Sequence, residues 1–227
     1  KNIFMVEVTN WKVYDLKESV IACRNAMRLT PPEYTEEEFE KSLPRAVQLA
    51  NSPQGSGHGN FLCGIRVAFD IKYPGYFTPE LQRYHFNDIV TSASKMHKLV
   101  QMDLDMCFNK YVPQVFVDEM KKLVARYNRI KDSKAGATFT LRSGEVIVAD
   151  YPDALYYAFM ECISACPQGI ELFMRCTTNY LSLKTIYHQR KNHKLWEDWV
   201  EGFCKNFIAK LPYAREFIIG VKYERTD

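Results

Sequence analysis

The chain has 227 residues, with 30 lysines and arginines against 27 aspartates and glutamates and a net charge of +3. Apolar residues make up 47% and charged residues 25%, the balance of a soluble globular protein long enough to bury a full core without disulfide staples. That balance carries no strong nucleic-acid footprint, and no apolar run nears the ~20 residues of a membrane span.

Asn2 to Val8 reads as a short strand, and Asp15 to Arg28, with Val20, Ile21, Cys23 and Met27 at near-helical spacing, as a first helix. Thr35 followed by Glu38 is a capping box that opens a second helix, which Pro44 interrupts or kinks. Asn51 to Asn60 (NSPQGSGHGN) reads as a glycine-rich loop. In FLCGIRVAFDI, Phe61, Cys63, Ile65, Val67, Phe69 and Ile71 repeat with period two, which predicts a long strand with one buried face. Tyr73-Pro74-Gly75 turns the chain, and Pro79 suits the first turn of the next helix. Val115 to Ile130 is amphipathic. Thr138 to Val148 reads as a hairpin turning at Ser143-Gly144. Helices follow at Pro152 to Cys166, Thr177 to Lys191 and Glu197 to Lys210, the last with Trp196, Trp199, Phe203 and Phe207 at three- and four-residue steps, as core or, less often, a subunit contact. The whole predicts one α+β (mixed α/β) domain.

Seven cysteines at 23, 63, 107, 162, 166, 176 and 204 form no CxxC pair, so neither a zinc ribbon nor a thioredoxin-like redox site is encoded. Buried reduced thiols are expected. Lys1 to Val8 is too short for a signal peptide, and the expected location is the cytoplasm. There is no GxGxxG, Walker loop, GxSxG or HExxH. Asp103 and Asp105 lack a third carboxylate at a convincing spacing for Mg²⁺, and no metal site is expected.

Two polar clusters remain. Lys184, His188, Gln189, Arg190, Lys191 and His193 crowd one stretch, in which Lys184 and His188 share a helical face with Asn179 a turn and a half earlier. A cationic face backed by Leu181, Leu183 and Ile186 suits a phosphate or carboxylate, although solvated basic faces are commoner. Gln82 to His85, followed by Thr91, Ser92, Ser94 and Lys95, interleaves charged and hydroxyl donors, as a phosphate-bearing ligand requires, or as a hydrophilic loop satisfying its own backbone. His58 stands in the glycine-rich loop, a position more often structural than catalytic.

Together these stretches resemble the flavin-dependent thymidylate synthases, which methylate dUMP without a cysteine nucleophile. ESVIACRNAM is similar to the family's early helix, and HGNFLCGIRVAFDI to its histidine-led strand, with His58 at the histidine position. The family signature RHRxxSxNxxSxR falls without gaps on Arg83 to Lys95, here RYHFNDIVTSASK. RCTTNYLSLKTIYH resembles the second block, NARxLxNFxxLRxxxxH, through Arg175, Asn179, Leu183 and, one residue before the block's last position, His188, with Lys184 in place of an arginine and Phe173 in place of the first asparagine.

The resemblance implies a central, mostly antiparallel sheet flanked by helices, one thymidylate synthase complementing-like domain over 1–227, and a homotetramer with FAD at subunit contacts. It implies methyl or hydroxymethyl transfer to C5 of a uracil nucleotide such as dUMP, with methylenetetrahydrofolate as carbon source and NADPH reducing the flavin. It places His58, Arg83, His85, Arg175, Asn179 and His188 on FAD, and Ser94, Lys95 and Lys184 on the nucleotide. Lysine at 95 and 184 keeps the charge of arginine but loses its bidentate hydrogen bonding. The departures at Tyr84, Val90, Ala93 and Phe173 leave a second reading, a non-catalytic nucleotide- or flavin-binding homologue. A third is a nucleic-acid binder using the Lys184 to Lys194 face.

Overall fold

The computed structural model describes residues 6–53, 55–193 and 198–220. The chain divides into two compact units, the first over 1–73, 77–92 and 173–227 and the second over 74–76 and 93–172.

The first unit is built on a four-stranded sheet in the order β1-β2-β6-β3, with β1 at Glu7–Tyr14, β2 at Arg66–Pro74, β3 at Asp88–Ser92 and β6 at Glu171–Asn179. β1 runs antiparallel to β2, with Glu7 opposite Lys72 and Tyr14 opposite Arg66. β3 runs antiparallel to β6, with Ile89 opposite Cys176 and Ser92 opposite Met174. The Ile65 carbonyl accepts from the Tyr180 amide and the Ile170 carbonyl from the Gly75 amide, a crossing register that makes β2 and β6 antiparallel as well. The expected mixed α/β architecture with an antiparallel sheet is therefore present.

Period two decides which face is buried. Val67, Phe69, Ile71 and Tyr73 of β2 and Met174, Cys176 and Thr178 of β6 point inward. Trp199, Phe203 and Phe207, fully buried, pack against them, the Phe69 and Phe207 rings 4.8 Å apart and Phe77 and Trp199 4.4 Å apart. The aromatic stripe is core, as its spacing predicts, while Trp196 lies outside the described residues. The backbone that carries the stripe is π-helical over Asp198–Lys205 and 3₁₀ over Ile208–Lys210.

Around the sheet stand α1 (Leu16–Ala22), α2 (Glu36–Ala50), α3 (Thr78–Gln82) and α7 (Tyr180–Arg190). Thr35 caps α2 by accepting from the Glu38 amide at 3.2 Å. The Glu38 carboxylate turns instead to Arg28 and Arg24, and the Arg28 hydrogen bond holds its pKa below the usual carboxylate range. Pro44 lies inside α2 without ending it.

The second unit holds α4 (Lys95–Lys98), α5 (Gln114–Ser133), α6 (Asp153–Ala165) and the hairpin of β4 (Ala137–Thr140) and β5 (Val146–Ala149). Gly144 takes φ +87° in the hairpin turn, the conformation that glycine enters without steric cost. Ile130, Phe139, Ala149, Ala154 and Ala158 form its core. Arg126 roofs the core, 4.2 Å above the Phe139 ring, and pairs with both Glu161 oxygens at 3.2 and 2.8 Å.

Several boundaries differ from expectation. The first strand is Glu7–Tyr14 rather than Asn2–Val8, whose first four residues lie outside the described ones. The first helix ends at Ala22, and a separate 3₁₀ turn follows over Asn25–Met27. The long strand begins at Arg66, because His58–Cys63 coils into a 3₁₀ helix that leaves Cys63 exposed. The helix expected from Thr177 starts at Tyr180, since Thr177 to Asn179 finish β6. All seven thiols are free, with Cys162, Cys166, Cys176 and Cys204 buried. Burial pushes Cys176 and Cys204 up to about 12, where they stay protonated and unreactive.

Candidate functional site

The sheet ends and α7 begins at Asn179, where the chain must satisfy the open amides of a new helix. Asn179 does so with its own side chain: it is buried, and its Oδ1 accepts from the Ser182 amide at 2.9 Å. Ser182 Oγ then donates to the His85 carbonyl at 3.1 Å, which ties the Arg83–Phe86 segment to the first turn of α7. Phe86 sits in the left-handed region at φ 57° with its ring 69% exposed. Such strain in a non-glycine residue collects at functional sites.

Between this segment and α7 lies an open cleft of about 390 Å³, lined by Arg83, Tyr84, His85, Phe86, Leu181, Ser182, Thr185, Gln189 and Arg190. Arg83 is exposed, and its Nη1 lies 3.5 Å from Glu80 Oε1. Arg190 is held more firmly, its Nε donating to the Tyr84 hydroxyl and its Nη2 to Glu80 Oε2, each at 2.6 Å. The guanidinium also lies 5.0 Å from the Trp199 ring and 5.6 Å from the Tyr84 ring. Guanidiniums, a neutral amide, hydroxyls and an exposed aromatic ring make a donor set for a planar ligand bearing anionic oxygens. Asn87, next in sequence to the cleft-lining segment, keeps both amide atoms buried with no partner among the described residues.

The structure thus joins two of the sequence-predicted residues, Arg83 and His85, in one cleft against α7. The others are placed differently. Arg175 stands on β6, where its Nη1 donates to Asp70 Oδ1 at 3.1 Å and to the Asn10 carbonyl at 2.9 Å. Asn10 Nδ2 donates to the other Asp70 oxygen at 2.9 Å, and this bond, with Arg175, holds the Asp70 carboxyl below its ordinary pKa. His188 Nε2 meets the Ile218 carbonyl at 2.9 Å, and burial lowers its pKa. Lys184 donates to the Ala50 carbonyl, and half-burial lowers its pKa too. It faces a second cavity of about 380 Å³ under the glycine-rich loop, which shares Leu181 and Thr185 with the first cleft.

His58 lines a separate groove of about 1050 Å³ with Arg24, Lys41 and Arg45. Ser94 and Lys95 belong to the second unit, at the start of the short α4. Among the described residues no group of three or more His, Cys, Asp or Glu is arranged to hold a metal ion, and no helix is long and apolar enough to cross a membrane.

Sequence reasoning missed Ser182, Thr185 and Phe86, and it left Gln189 and Arg190 within a general basic run. The signal was present: 182, 185 and 189 step by three and four along α7, the spacing of one helical face.

With this geometry in view, comparison with known proteins gives a clear result at the level of structure. The chain is similar in fold to a flavin-dependent thymidylate synthase. ThyX from Helicobacter pylori, complexed with FAD and dUMP, superposes with a TM-score of 0.60 over 96% of this chain and 99% of that one, at 12% identity. A second structure of the Helicobacter pylori enzyme with FAD and dUMP gives a TM-score of 0.61 over 94% and 96%, also at 12% identity. No protein-family model matches the sequence, and no curated protein matches it significantly. At that identity the likeness concerns the fold.

Proposed function

We propose that the protein is a flavin-dependent enzyme that transfers a methyl or hydroxymethyl group to C5 of a uracil nucleotide such as dUMP. Methylenetetrahydrofolate is the carbon donor and NADPH the reductant. The observation that carries this reading is the cleft in which Arg83 and His85 of the signature-like segment face Ser182, Thr185, Gln189 and Arg190 of α7. Similarity in fold to an enzyme solved with FAD and dUMP supports it. The donor set fits FAD: Arg83 and Arg190 would hold its anionic part, His85 and Gln189 its polar edges, and Phe86 its ring. When bound, FAD supplies the redox chemistry, and the protein supplies position and charge.

Lys184, under the glycine-rich loop beside the same cleft, would meet the nucleotide; Ser94 and Lys95 are the further nucleotide contacts that the signature-like segment offers in this reading. His58, Arg175, Asn179 and His188 complete the proposed cofactor set. Asn179 acts through α7 and the Ser182 bridge, because its own Oδ1 is engaged. In this reading 1–227 acts as one domain of a cytoplasmic homotetramer.

One observation favours a second reading, a binding protein without turnover. Arg175 and Lys184, two of the cations expected on ligands, already donate to Asp70, the Asn10 carbonyl and the Ala50 carbonyl. The experiment is direct: purify the protein, titrate FAD, then follow isotope exchange at C5 of dUMP with methylenetetrahydrofolate and NADPH. A yellow protein that exchanges C5 and converts dUMP is the expected result. A yellow protein without turnover selects the second reading, and a protein that FAD neither binds nor stabilises overturns both.

A further inference from the structure

Arg190 is unusual among the basic residues of α7. Its side chain is only 16% exposed, yet it lines the open cleft with Arg83. Its Nε and one Nη2 proton are engaged by Tyr84 and Glu80, and the Tyr84 and Trp199 rings fix the plane of the guanidinium. A guanidinium carries five N–H donors, so three remain without an acceptor among the described residues. Among the described residues no acidic side chain lines the cleft. Glu80 stands behind it as the carboxylate shared between Arg83 and Arg190, one oxygen to each. Among the described residues, two guanidiniums against one carboxylate leave one positive charge uncompensated at the mouth. Phe86, strained and exposed, offers a bare ring on the same rim.

We propose that Arg190 and Arg83, held apart by Glu80, form a clamp for the diphosphate of a nucleotide whose aromatic ring stacks on Phe86. The clamp rests on the reading of this cleft as a cofactor site and deepens it, by assigning the diphosphate to Arg190 and a positioning role to Glu80. Arg190 is a binding residue. Glu80 acts through it: it spaces the two guanidiniums while lowering the net charge that the ligand meets. Removing a binding arginine weakens the anion, whereas neutralising Glu80 raises the uncompensated charge and strengthens anion binding even if the fold loses stability. Structural damage alone cannot produce that opposite sign.

The test is calorimetric titration of the full chain with ADP, inorganic pyrophosphate and adenosine at fixed low salt, beside FAD. Wild type is expected to bind ADP and pyrophosphate. Arg190→Gln and Arg83→Gln should each weaken ADP by at least about tenfold, the worth of a charge-assisted hydrogen bond, and leave any adenosine binding unchanged. Glu80→Gln should tighten pyrophosphate several-fold, and Phe86→Ala should weaken ADP but not pyrophosphate. If Arg190→Gln fails to fold because it packs on Trp199, the exposed Arg83 decides the outcome in its place. Wild-type affinity in Arg83→Gln, absence of ADP binding in wild type, or loss of affinity in Glu80→Gln overturns the clamp. ADP binding that depends on these arginines in a protein indifferent to FAD would keep the clamp and remove the flavin reading. FAD binding and turnover unaffected by the two arginine changes would do the reverse.

Discussion

Two sets of side chains of equal promise in the sequence differ in one physical respect. At the Arg83–Phe86 cleft, donors remain uncommitted: Arg83 is exposed with a single long contact to Glu80, and Arg190 keeps three N–H groups free of described acceptors. Along β6 and the other side of α7, Arg175, Asn179, Lys184 and His188 already have acceptors or donors within the protein. A residue type matched to a ligand is necessary for a site, but a donor hydrogen-bonded to its own fold must exchange that bond to serve the ligand. Availability separates the two sets where residue identity does not.

The largest expected effect tests the committed set through folding. Asn179→Ala removes the N-cap of α7 and, through Ser182, the anchor of the His85 carbonyl. Loss of such a cap costs about 1–2 kcal/mol. Arg83→Ala, at an exposed position, should change stability by less than about 0.5 kcal/mol. Urea denaturation of both variants checks the pair. Equal losses would mean that Arg83 is as deeply built into the fold as Asn179, and the contrast between the sets would fail.

A smaller effect follows from the titration of α7. Burial lowers the pKa of Lys184 and, aided by the neighbouring Lys191 and Lys184 charges, that of His188. For a base whose pKa is depressed on folding, the unfolded chain binds more protons, so stability rises with pH across the window between the folded and the ordinary value and is lost as pH falls through it. For His188 that window lies below about pH 6.5, and for Lys184 below about 10.4. At neutral pH, below the ordinary lysine value, Lys184 therefore bears a penalty for its buried charge, and His188 almost none. Lys184→Met should be no less stable than wild type at pH 7. His188→Gln should flatten the acid limb below about pH 6.5 by under about 1 kcal/mol, since the ring is partly exposed. Melting temperatures across pH measure both. A marked loss in Lys184→Met would show that its bond to the Ala50 carbonyl outweighs the cost of burying its charge.

Much of this arrangement was legible beforehand where one period ran unbroken. The α2 cap at Thr35, the hairpin turn at Gly144 and the buried stripe of Trp199, Phe203 and Phe207 each follow from local rules. β6 was not legible, although Leu172, Met174 and Cys176 alternate as a strand requires. Its last residues, Thr177 to Asn179, run straight into the helical pattern of α7, and a period of two hands over to 3.6 with no glycine or proline between them. Phe61–Cys63 failed in the opposite sense: alternation suggests strand, but the 3₁₀ coil of His58–Cys63 carries on from the loop glycines before it. Within the site, residue spacing carried Arg83 and His85 to the cleft. It could not show that Asp70, 105 residues away in sequence, would hold Arg175.

That pairing supplies the smallest effect and the sharpest comparison. Asp70 is held ionised first by Asn10 Nδ2 and then by Arg175, so its folded pKa lies below the ordinary carboxylate value near 3.9. A depressed acid contributes stability that is fully present above the unfolded pKa and is lost as pH falls through that value towards the folded one. The Asp70 side chain is 40% exposed, so the contribution stays at or under about 1 kcal/mol and weakens with salt. Asp70→Asn should therefore lower stability at pH 7 by no more than about 1 kcal/mol and flatten the loss below about pH 4. It also turns a committed guanidinium into an available one, since the neutral amide no longer balances the Arg175 charge. If availability is what divides the two sets, Asp70→Asn strengthens pyrophosphate binding at β6 as a second, weaker event beside the cleft. If titration of the variant shows the same single event as wild type, Arg175 is structural whatever its partner, and availability is not the property that distinguishes the two regions.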